Sequence, residues 1–300
     1  MHAPALAHPR STPEPVRAPC ICCGGLAWQP HLRILTQCTA CGFIRADMSL
    51  GPEEAERLYQ EGYFTGAEYG DYLADAESHR RNFAARLQLV RRLSGGTPGP
   101  LLEIGCAYGF FLEQCRQHGI EATGVDVCVE PVRHARMVLN VDARIGAFES
   151  LPLEAGRWRS VCMWDTIEHL EHPEAFIARA RELLAPGGML FVTTGDIGSA
   201  FARWRGPRWR MIHPPTHLQY FSTASLARLL ERHGFRVEEA RSTAMYRNFG
   251  ESLGRMATLG RGLPARLAAA ARRLTPGFVA RQGFWLDLGD IMFVAARKGA

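Results

Sequence analysis

The sequence predicts an α/β protein built on a parallel sheet covered by helices on both faces, with a small cysteine-rich module ahead of it. Strand-like and helix-like segments alternate from residue 101 onward, a glycine-rich turn joins the first of these strands to the first helix, and two Cys-x-x-Cys pairs lie near the N-terminus. A chain of 300 residues with 47% hydrophobic residues is long enough for one large core and a small appendage.

The cysteine-rich segment, residues 19–48, predicts a zinc ribbon. Cys20 and Cys23 form one Cys-x-x-Cys pair, Cys38 and Cys41 form the second, and a glycine follows each pair. Each pair forms a tight turn that brings two thiolates to one point, and four thiolates in tetrahedral geometry suit a structural Zn²⁺ ion. The neighbouring cysteine at position 22 is an alternative ligand, and a set of unligated thiols is the alternative to metal.

A helical linker or lid is expected over residues 49–97. Within it, Phe83, Leu87 and Val90 recur at helical spacing, which predicts a helix over Ala76–Leu93.

Residues 98–300 are expected to form the main domain, with an insertion at about residues 196–222 where prolines, histidines and two tryptophans interrupt the alternation. The predicted strands are Leu101–Ile104, Glu121–Val125, Ala143–Ile145, Ser160–Trp164, Met189–Thr193, Phe235–Glu239 and Asp290–Arg297. The predicted helices are Phe110–His118, Glu130–Leu139, Pro173–Leu184, Ser225–His233 and Leu263–Leu274. The last helix is basic and amphipathic: it either packs its apolar face on the core or meets a membrane surface or a partner chain.

The net charge is small and is carried almost entirely by arginine. The formal net charge is +5 and Lys298 is the only lysine, a bias that arginine codon preference explains more simply than anion binding does. So small a charge does not indicate a nucleic-acid partner. The chain has neither an apolar run long enough to insert in a membrane nor a signal-peptide pattern, so we expect a cytoplasmic protein with a disordered leader over residues 1–18.

The glycine loop is the most informative motif. Gly105 and Gly109 lie between a hydrophobic strand that contains Glu103 and a helix that starts at Phe110. Glycine lets the backbone approach a ligand closely, and a helix N-terminus offers N–H groups to an anion. Because Ala107 stands where dinucleotide-binding loops carry a glycine, an amino-acid carboxylate suits this loop better than a pyrophosphate.

An acidic residue follows at the end of the next predicted strand, in Gly124-Val125-Asp126. A carboxylate there accepts hydrogen bonds from both hydroxyls of a ribose. Either motif alone is weak, but the two together, with one helix between them, are a strong indication of a bound ligand. A strand–helix turn without a ligand is the alternative.

These landmarks resemble those of class I S-adenosylmethionine-dependent methyltransferases. The glycine loop, Gly124-Val125-Asp126 and Leu184-Ala185-Pro186-Gly187-Gly188 occur in the order typical of that class. The segment from Trp164 to Pro173 is similar to one in the family that includes ubiquinone-biosynthesis and sugar methyltransferases, and the resemblance covers about residues 58–239. It implies a Rossmann-like methyltransferase sheet of seven strands, the last antiparallel to the others, and S-adenosylmethionine as cofactor.

The resemblance also implies which residues contact the cofactor. Gly105 and Gly109 would pass close to its methionine half, and Asp126 would hold the ribose hydroxyls. Ala147 and Phe148 would lie beside the adenine, although the acidic residue that many relatives carry there is absent. Trp164 or Asp165, at the end of a later predicted strand, would flank the sulfonium region. The whole set is Glu103, Gly105, Cys106, Ala107, Gly109, Asp126, Val127, Ala147, Phe148, Trp164 and Asp165.

Methyl transfer also requires removal of a proton from the acceptor, and histidine is the usual base. His169, His213 and His217 are the candidates, and the segment from His213 to Ser222 is similar to one that follows the fifth strand in the same family. A structural hydrogen-bonding role is the alternative for each histidine. Four aromatic residues would form a lid over the cofactor or simply pack together: Tyr63, Phe64, Tyr69 and Tyr72.

The predicted function is methylation of a small molecule, a sugar or another biosynthetic intermediate, by in-line transfer with a histidine base. The ribbon has few cations and aromatics, so a structural or capping role is favoured over nucleic-acid recognition. RNA or protein methylation with the ribbon as recognition module is one alternative, and a non-catalytic cofactor-binding scaffold is another. A homodimer remains open, and neither the methyl acceptor nor the methylated atom follows from the sequence.

Overall fold

The computed structural model describes residues 18–32, 34–48, 72–259, 262–280 and 282–299. Strands β1 to β13 run, in chain order, over Trp28–His31, Leu35–Cys38, Ile44–Ala46, Leu101–Ile104, Ala122–Asp126, Asp142–Ile145, Trp158–Trp164, Leu184–Gly195, Gln219–Tyr220, Phe235–Ser242, Met245–Asn248, Gly283–Leu286 and Ile291–Lys298. Helices α1 to α9 run over Ala76–Leu93, Phe110–Gln117, Val129–Met137, Pro173–Leu183, Ala200–Arg205, Thr223–Arg232, Phe249–Leu259, Leu263–Leu274 and Gly277–Ala280.

The main sheet has seven strands in the order β10-β13-β8-β7-β4-β5-β6. Strand β4 pairs in parallel with β5 and β7, whereas β13 pairs antiparallel with both of its neighbours, β8 and β10. The expected seven-stranded sheet with an antiparallel last strand is therefore confirmed. All four residues of β4 are buried, as expected for a central strand covered on both faces.

Two hydrophobic clusters cover the two faces of this sheet. Because successive residues of a strand point to opposite faces, Leu101 packs with residues of α1, α2 and α3, whereas Leu102 and Ile104 pack with residues of α4 and α6. Parallel strands with helices on both faces place their carboxyl ends at one edge of the sheet. The loops that leave β4, β5, β7 and β8 consequently meet at that edge.

The predicted alternation of strands and helices is confirmed, with element ends that differ by a few residues. The predicted bounds of β4 and α1 agree with the structure, whereas β8 starts five residues earlier than the predicted Met189, at Leu184. The predicted disordered leader and the lid residues Tyr63, Phe64 and Tyr69 lie outside the described residues.

The ribbon forms a sheet in the order β1-β2-β3-β9, so its fourth strand comes from the segment predicted as an insertion. Ile44 lies opposite Tyr220 and Arg45 opposite Gln219. The Phe43 ring is buried 5.2 Å from the Phe221 ring, measured between centroids. The ribbon therefore packs directly on the main domain.

A further segment, between β10 and β13, leaves the main sheet. It contains the antiparallel pair of β11 and β12 and the helices α7, α8 and α9, of which the sequence analysis identified only α8. The leucines of α8 are exposed, so the interpretation that its apolar face packs on the core is wrong. Among the described residues, no helix has the length and apolar character needed to cross a membrane.

Candidate functional site

The glycine loop follows β4 and needs glycine at two positions for steric reasons. Gly105 and Gly109 have φ of +77° and +78°, a region that side-chain-bearing residues rarely adopt. A Cβ atom on Gly105 would lie 2.6 Å from Thr166 Oγ1, and one on Gly109 would lie 2.7 Å from Ala135 Cβ. Gly109 also precedes the first residue of α2, so the loop leads directly into a helix N-terminus.

Asp126, at the end of β5, braces the glycine loop. Its Oδ2 accepts a hydrogen bond from the N–H of Ala107 at 2.8 Å, and its Oδ1 accepts one from the N–H of Cys128 at 2.9 Å. Burial raises the pKa of Asp126, and the two N–H groups oppose that effect. The structure thus gives Asp126 a loop-positioning role that the sequence analysis did not foresee, while the ribose contact stays a prediction.

Glu103 lies in β4 beneath this loop and is almost fully buried. Burial, with a smaller contribution from the Asp126 charge, raises the pKa of Glu103 well above its ordinary value. Its Oε2 atom has no hydrogen-bond partner among the described residues. Because an unpaired buried polar group is costly, a ligand cation suits this position, and the methionine half of S-adenosylmethionine carries an ammonium group.

Arg86 of α1 forms an ion pair with Asp165, which the sequence analysis missed. Its Nη2 lies 2.6 Å from Asp165 Oδ2, and its guanidinium carbon lies 5.4 Å from the centroid of the Trp164 ring. Arg86 is buried although it is charged. The sequence contained a signal for this burial, because Arg86 lies three residues after Phe83 and next to Leu87, on the predicted inward face of the helix.

The remaining predicted cofactor contacts differ in exposure. The Trp164 ring is buried with its centroid 5.1 Å from that of Phe111, and the Phe148 ring is buried with its centroid 5.2 Å from that of Phe176. Ala147 is exposed, as is Val127, whereas Cys106 is buried in the core. All of these contacts stay predictions.

The three candidate histidines come together in space. The ring centroids of His169 and His217 are 4.5 Å apart, and those of His213 and His217 are 3.8 Å apart. The Nδ1 atom of His169 lies 2.7 Å from the carbonyl oxygen of Thr216, and that of His217 lies 2.9 Å from the carbonyl oxygen of Met211. A carbonyl only accepts, so the Nδ1 atom of each ring carries a hydrogen.

Burial keeps these imidazoles neutral. It lowers the pKa of His169 to about 4 and that of His217 well below its ordinary value. His213 is only half-buried.

Glu168 completes a potential metal-binding group with two of the histidines. One ligand atom each from Glu168, His169 and His217 lies within 4.8 Å of the others. Both carboxylate oxygens of Glu168 are buried without a hydrogen-bond partner among the described residues, and burial together with the Asp165 charge raises its pKa to about 8. One carboxylate and two neutral imidazoles suit a divalent cation. The sequence analysis quoted Glu168 within a motif but assigned it no role.

The four predicted ribbon cysteines also meet. Their Sγ atoms all lie within 4.8 Å of one another, and the group does not include the alternative ligand at position 22. The two Cys-x-x-Cys turns are built alike: the N–H of Gly24 donates to the carbonyl of Cys20 at 2.7 Å, and the N–H of Gly42 donates to that of Cys38 at 2.9 Å. This arrangement suits a four-thiolate zinc site.

The ribbon contacts the backbone of residues 211–218, which carry His213 and His217 and which we call the histidine loop. The N–H of Ala46 donates to the carbonyl of Leu218 at 2.8 Å, one residue after His217, and the Tyr220 hydroxyl donates to the carbonyl of His217 at 2.9 Å. On its other side the N–H of Leu218 donates to the carbonyl of Glu168 at 2.8 Å, so the loop is held between the ribbon sheet and the loop that follows β7.

Of the four predicted lid aromatics, only Tyr72 lies in the described part of the chain. Its ring stacks on His79, with 3.9 Å between centroids, and on Tyr108 of the glycine loop, at 5.3 Å. This contact agrees with either a lid or simple packing.

Residues 76–240 match the family model described as a methyltransferase domain. Over 166 residues, the chain is 31% identical to the ubiquinone biosynthesis O-methyltransferase of Xanthomonas axonopodis pv. citri, which covers 51% of this chain and 70% of that protein. The chain belongs to the methyltransferase-domain family and is a class I S-adenosylmethionine-dependent methyltransferase.

Two solved structures show the same fold at low identity. The S-adenosylmethionine-dependent methyltransferase of Archaeoglobus fulgidus matches with a TM-score of 0.50 and 19% identity, over 76% of this chain and 99% of that one. The magnesium protoporphyrin IX methyltransferase of Synechocystis PCC 6803, solved with S-adenosylhomocysteine, matches with a TM-score of 0.50 and 13% identity. The match covers 82% of this chain and 98% of that one. These similarities concern the fold alone.

We expect the Gly105→Ala variant to bind S-adenosylmethionine at least about tenfold more weakly, because its Cβ would displace Thr166 and the loop that carries it. Isothermal titration calorimetry measures the Kd. Gly119→Ala is the matched control, since Gly119 also has a positive φ, +67°, but an added Cβ there would meet nothing within 4 Å. Equal affinities of the two variants would show that the loop does not contact the cofactor.

Proposed function

We propose that this enzyme methylates a small molecule, a sugar or another biosynthetic intermediate, by in-line transfer from S-adenosylmethionine, with a proton acceptor in the cluster of His169, His213 and His217. The observation that carries the proposal is the position of this cluster relative to the glycine loop. Thr166, which a Cβ on Gly105 would touch, lies in the same loop as His169. The cofactor loop and the histidines therefore share one edge of the sheet.

The methyl group of S-adenosylmethionine, when bound, is the electrophile. The role of the protein is to hold the cofactor and to orient the acceptor. The glycine loop, which Asp126 braces, lets the protein backbone come close to the methionine half of the cofactor. Glu103 provides a buried carboxyl for the ammonium group of that half. Arg86 stabilises the Asp165 carboxylate, which keeps a negative group near the predicted sulfonium position.

Proton removal is assigned to the Nε2 atoms of the cluster. His169 and His217 use Nδ1 to donate to backbone carbonyls, so Nε2 is the nitrogen that would take a proton from the acceptor. The low pKa of both makes each a weak base on its own. His213, the half-buried member, is therefore the one that passes the proton on to solvent.

A bound divalent cation is the second candidate for activating the acceptor. It is favoured by Glu168, whose two buried oxygens have no hydrogen-bond partner among the described residues. Glu168, His169 and His217 would hold such an ion, which supplies a Lewis acid for an acceptor hydroxyl.

A small-molecule acceptor is supported by two observations. The relative from Xanthomonas is named for O-methylation in ubiquinone biosynthesis. In the ribbon, the Arg45 guanidinium lies 4.4 Å from the centre of the Trp28 ring, so this cation and this aromatic face are already paired with each other. That pairing weakens the case for nucleic-acid recognition by the ribbon.

The ribbon is proposed to bind one structural Zn²⁺ through Cys20, Cys23, Cys38 and Cys41. Since four thiolates fill a tetrahedral site, no coordination position remains for catalysis. The hydrogen bonds from the ribbon to the loop after His217 give the metal an indirect role, which is to keep the histidines in place.

The substrate class is tested by incubating the enzyme and S-adenosylmethionine with separate low-molecular-mass, RNA and protein fractions of a cell extract. We expect S-adenosylhomocysteine to form with the low-molecular-mass fraction, measured by mass spectrometry. Formation with only the RNA or the protein fraction would contradict the proposed acceptor class.

We expect His217→Ala and His213→Ala to lower kcat by about 100-fold or more while leaving the Kd for S-adenosylmethionine unchanged. His118→Ala, at an exposed position after α2, is the control and should keep full activity. A chelator separates the two routes at a concentration that leaves the ribbon zinc in place by elemental analysis: loss of activity that Mg²⁺ or Mn²⁺ restores supports the cation, and an unaffected rate supports the base. Full activity of both variants would exclude the cluster from the reaction.

We expect one zinc ion per chain, about one equivalent by elemental analysis, in the wild type and in Cys22→Ser, and its loss in Cys23→Ser. The Cys23→Ser variant should also lose methyltransferase activity because the histidine loop loses its support. Zinc retained by Cys23→Ser, or lost by Cys22→Ser, would show that the ligand set is wrong.

A further inference from the structure

The segment between β10 and β13, which we call the outer unit (residues 243–290), is anchored to helix α1. Its paired strands β11 and β12 form the neck, and α7, α8 and α9 lie beyond it. The side chain of Asn82 donates to the carbonyl of Tyr246 at 3.1 Å and accepts its N–H at 2.6 Å. Arg86 Nη2, which pairs with Asp165, also lies 3.6 Å from Met245 Sδ. The neck therefore contacts the helix that reaches into the candidate site.

Helix α8 presents three leucines to solvent and buries one alanine. Leu263, Leu267 and Leu274 are 68%, 60% and 82% exposed, whereas Ala268 is buried. At 3.6 residues per turn the three leucines lie within about 40° of one another around the helix axis. A helix that merely covered the core would have the opposite arrangement.

Other large apolar side chains of the outer unit are exposed as well. They are Phe249, Met256, Phe278, Trp285, Leu286 and Leu288. So many exposed apolar side chains in one segment of the chain are typical of an interaction surface.

The central part of the outer unit is rich in arginine, and the acidic residues of the unit, Glu251, Asp287 and Asp290, lie on either side of this part in the sequence. Residues 252–286 contain six arginines and no aspartate or glutamate. Arg266 and Arg273 are exposed and flank the leucine face of α8 on one side. Arg272 is exposed as well, and Asp287 is an exposed acidic residue between Leu286 and Leu288. The leucine face of α8 with its flanking arginines complements a surface that combines hydrocarbon with negative charge.

We propose that the outer unit docks on the surface of a lipid bilayer that contains anionic headgroups. The leucine face of α8 enters the boundary between headgroups and acyl chains, and the flanking arginines bind the lipid phosphates. A second copy of the chain is a poorer occupant, because a symmetric contact would bring two arginine-rich surfaces together. This inference concerns a surface outside the site and goes beyond the proposed function.

The test is sedimentation of the full-length enzyme with vesicles of phosphatidylcholine, with or without about one third phosphatidylglycerol. We expect binding to the anionic vesicles that weakens as salt increases, and little binding to phosphatidylcholine alone. The Leu267→Glu/Leu274→Glu variant should bind at least about tenfold more weakly, and each of Arg266→Gln and Arg273→Gln about fivefold more weakly. Met137→Glu is the matched control, since Met137 is 84% exposed on α3, away from this unit.

Vesicle binding that is absent in the wild type, or unchanged in the double leucine variant, would overturn the proposal. The proposal would also be overturned if the wild type were a dimer in analytical ultracentrifugation, the double leucine variant were a monomer, and neither protein bound vesicles. An unchanged Kd for S-adenosylmethionine verifies that each variant is folded. Because the readout needs no methyl transfer, failure here is distinguishable from failure of the proposed acceptor or base.

Discussion

The contact between Gly105 and Thr166 is the constraint on which the site depends. An added Cβ on Gly105 would lie only 2.6 Å from Thr166 Oγ1, so the loops after β4 and β7 pass each other at backbone distance. Parallel pairing makes this contact possible, because it brings the carboxyl ends of both strands to one edge. The glycine loop and His169 are consequently parts of one surface, although His169 comes 60 positions after Gly109 in the sequence.

Buried ionisable groups surround this contact, and their partners differ in kind. Asp126 is satisfied by two backbone N–H groups and Asp165 by Arg86. Glu103 and Glu168 keep oxygen atoms without a partner among the described residues. A buried carboxyl that the chain leaves unpaired is costly for folding, and it is often retained at sites that bind something else. The two unpaired carboxyls thus mark one place for a ligand cation and one for a metal or a shared proton.

The ribbon and the main domain form one continuous structure around the histidines. Strand β9, from the main domain, completes the ribbon sheet, and Tyr220 on that strand donates to the carbonyl of His217. A small module without a large core of its own gains stability from this packing and from the proposed metal. The same contacts hold the histidine loop, so the structural role of the ribbon and the chemistry of the site are physically linked.

The sequence by itself determined the features that arise from neighbouring residues. Hydrophobic periodicity and turn glycines predicted the order of strands and helices, the loop from Gly105 to Gly109, and the cysteine pairs, because each depends on local backbone geometry. Tertiary structure alone decided which distant groups meet: Arg86 with Asp165, Glu168 with His217, and β3 with β9. It also decided that the leucines of α8 face outward, because an amphipathic pattern defines a face of the helix but not the surface that covers it.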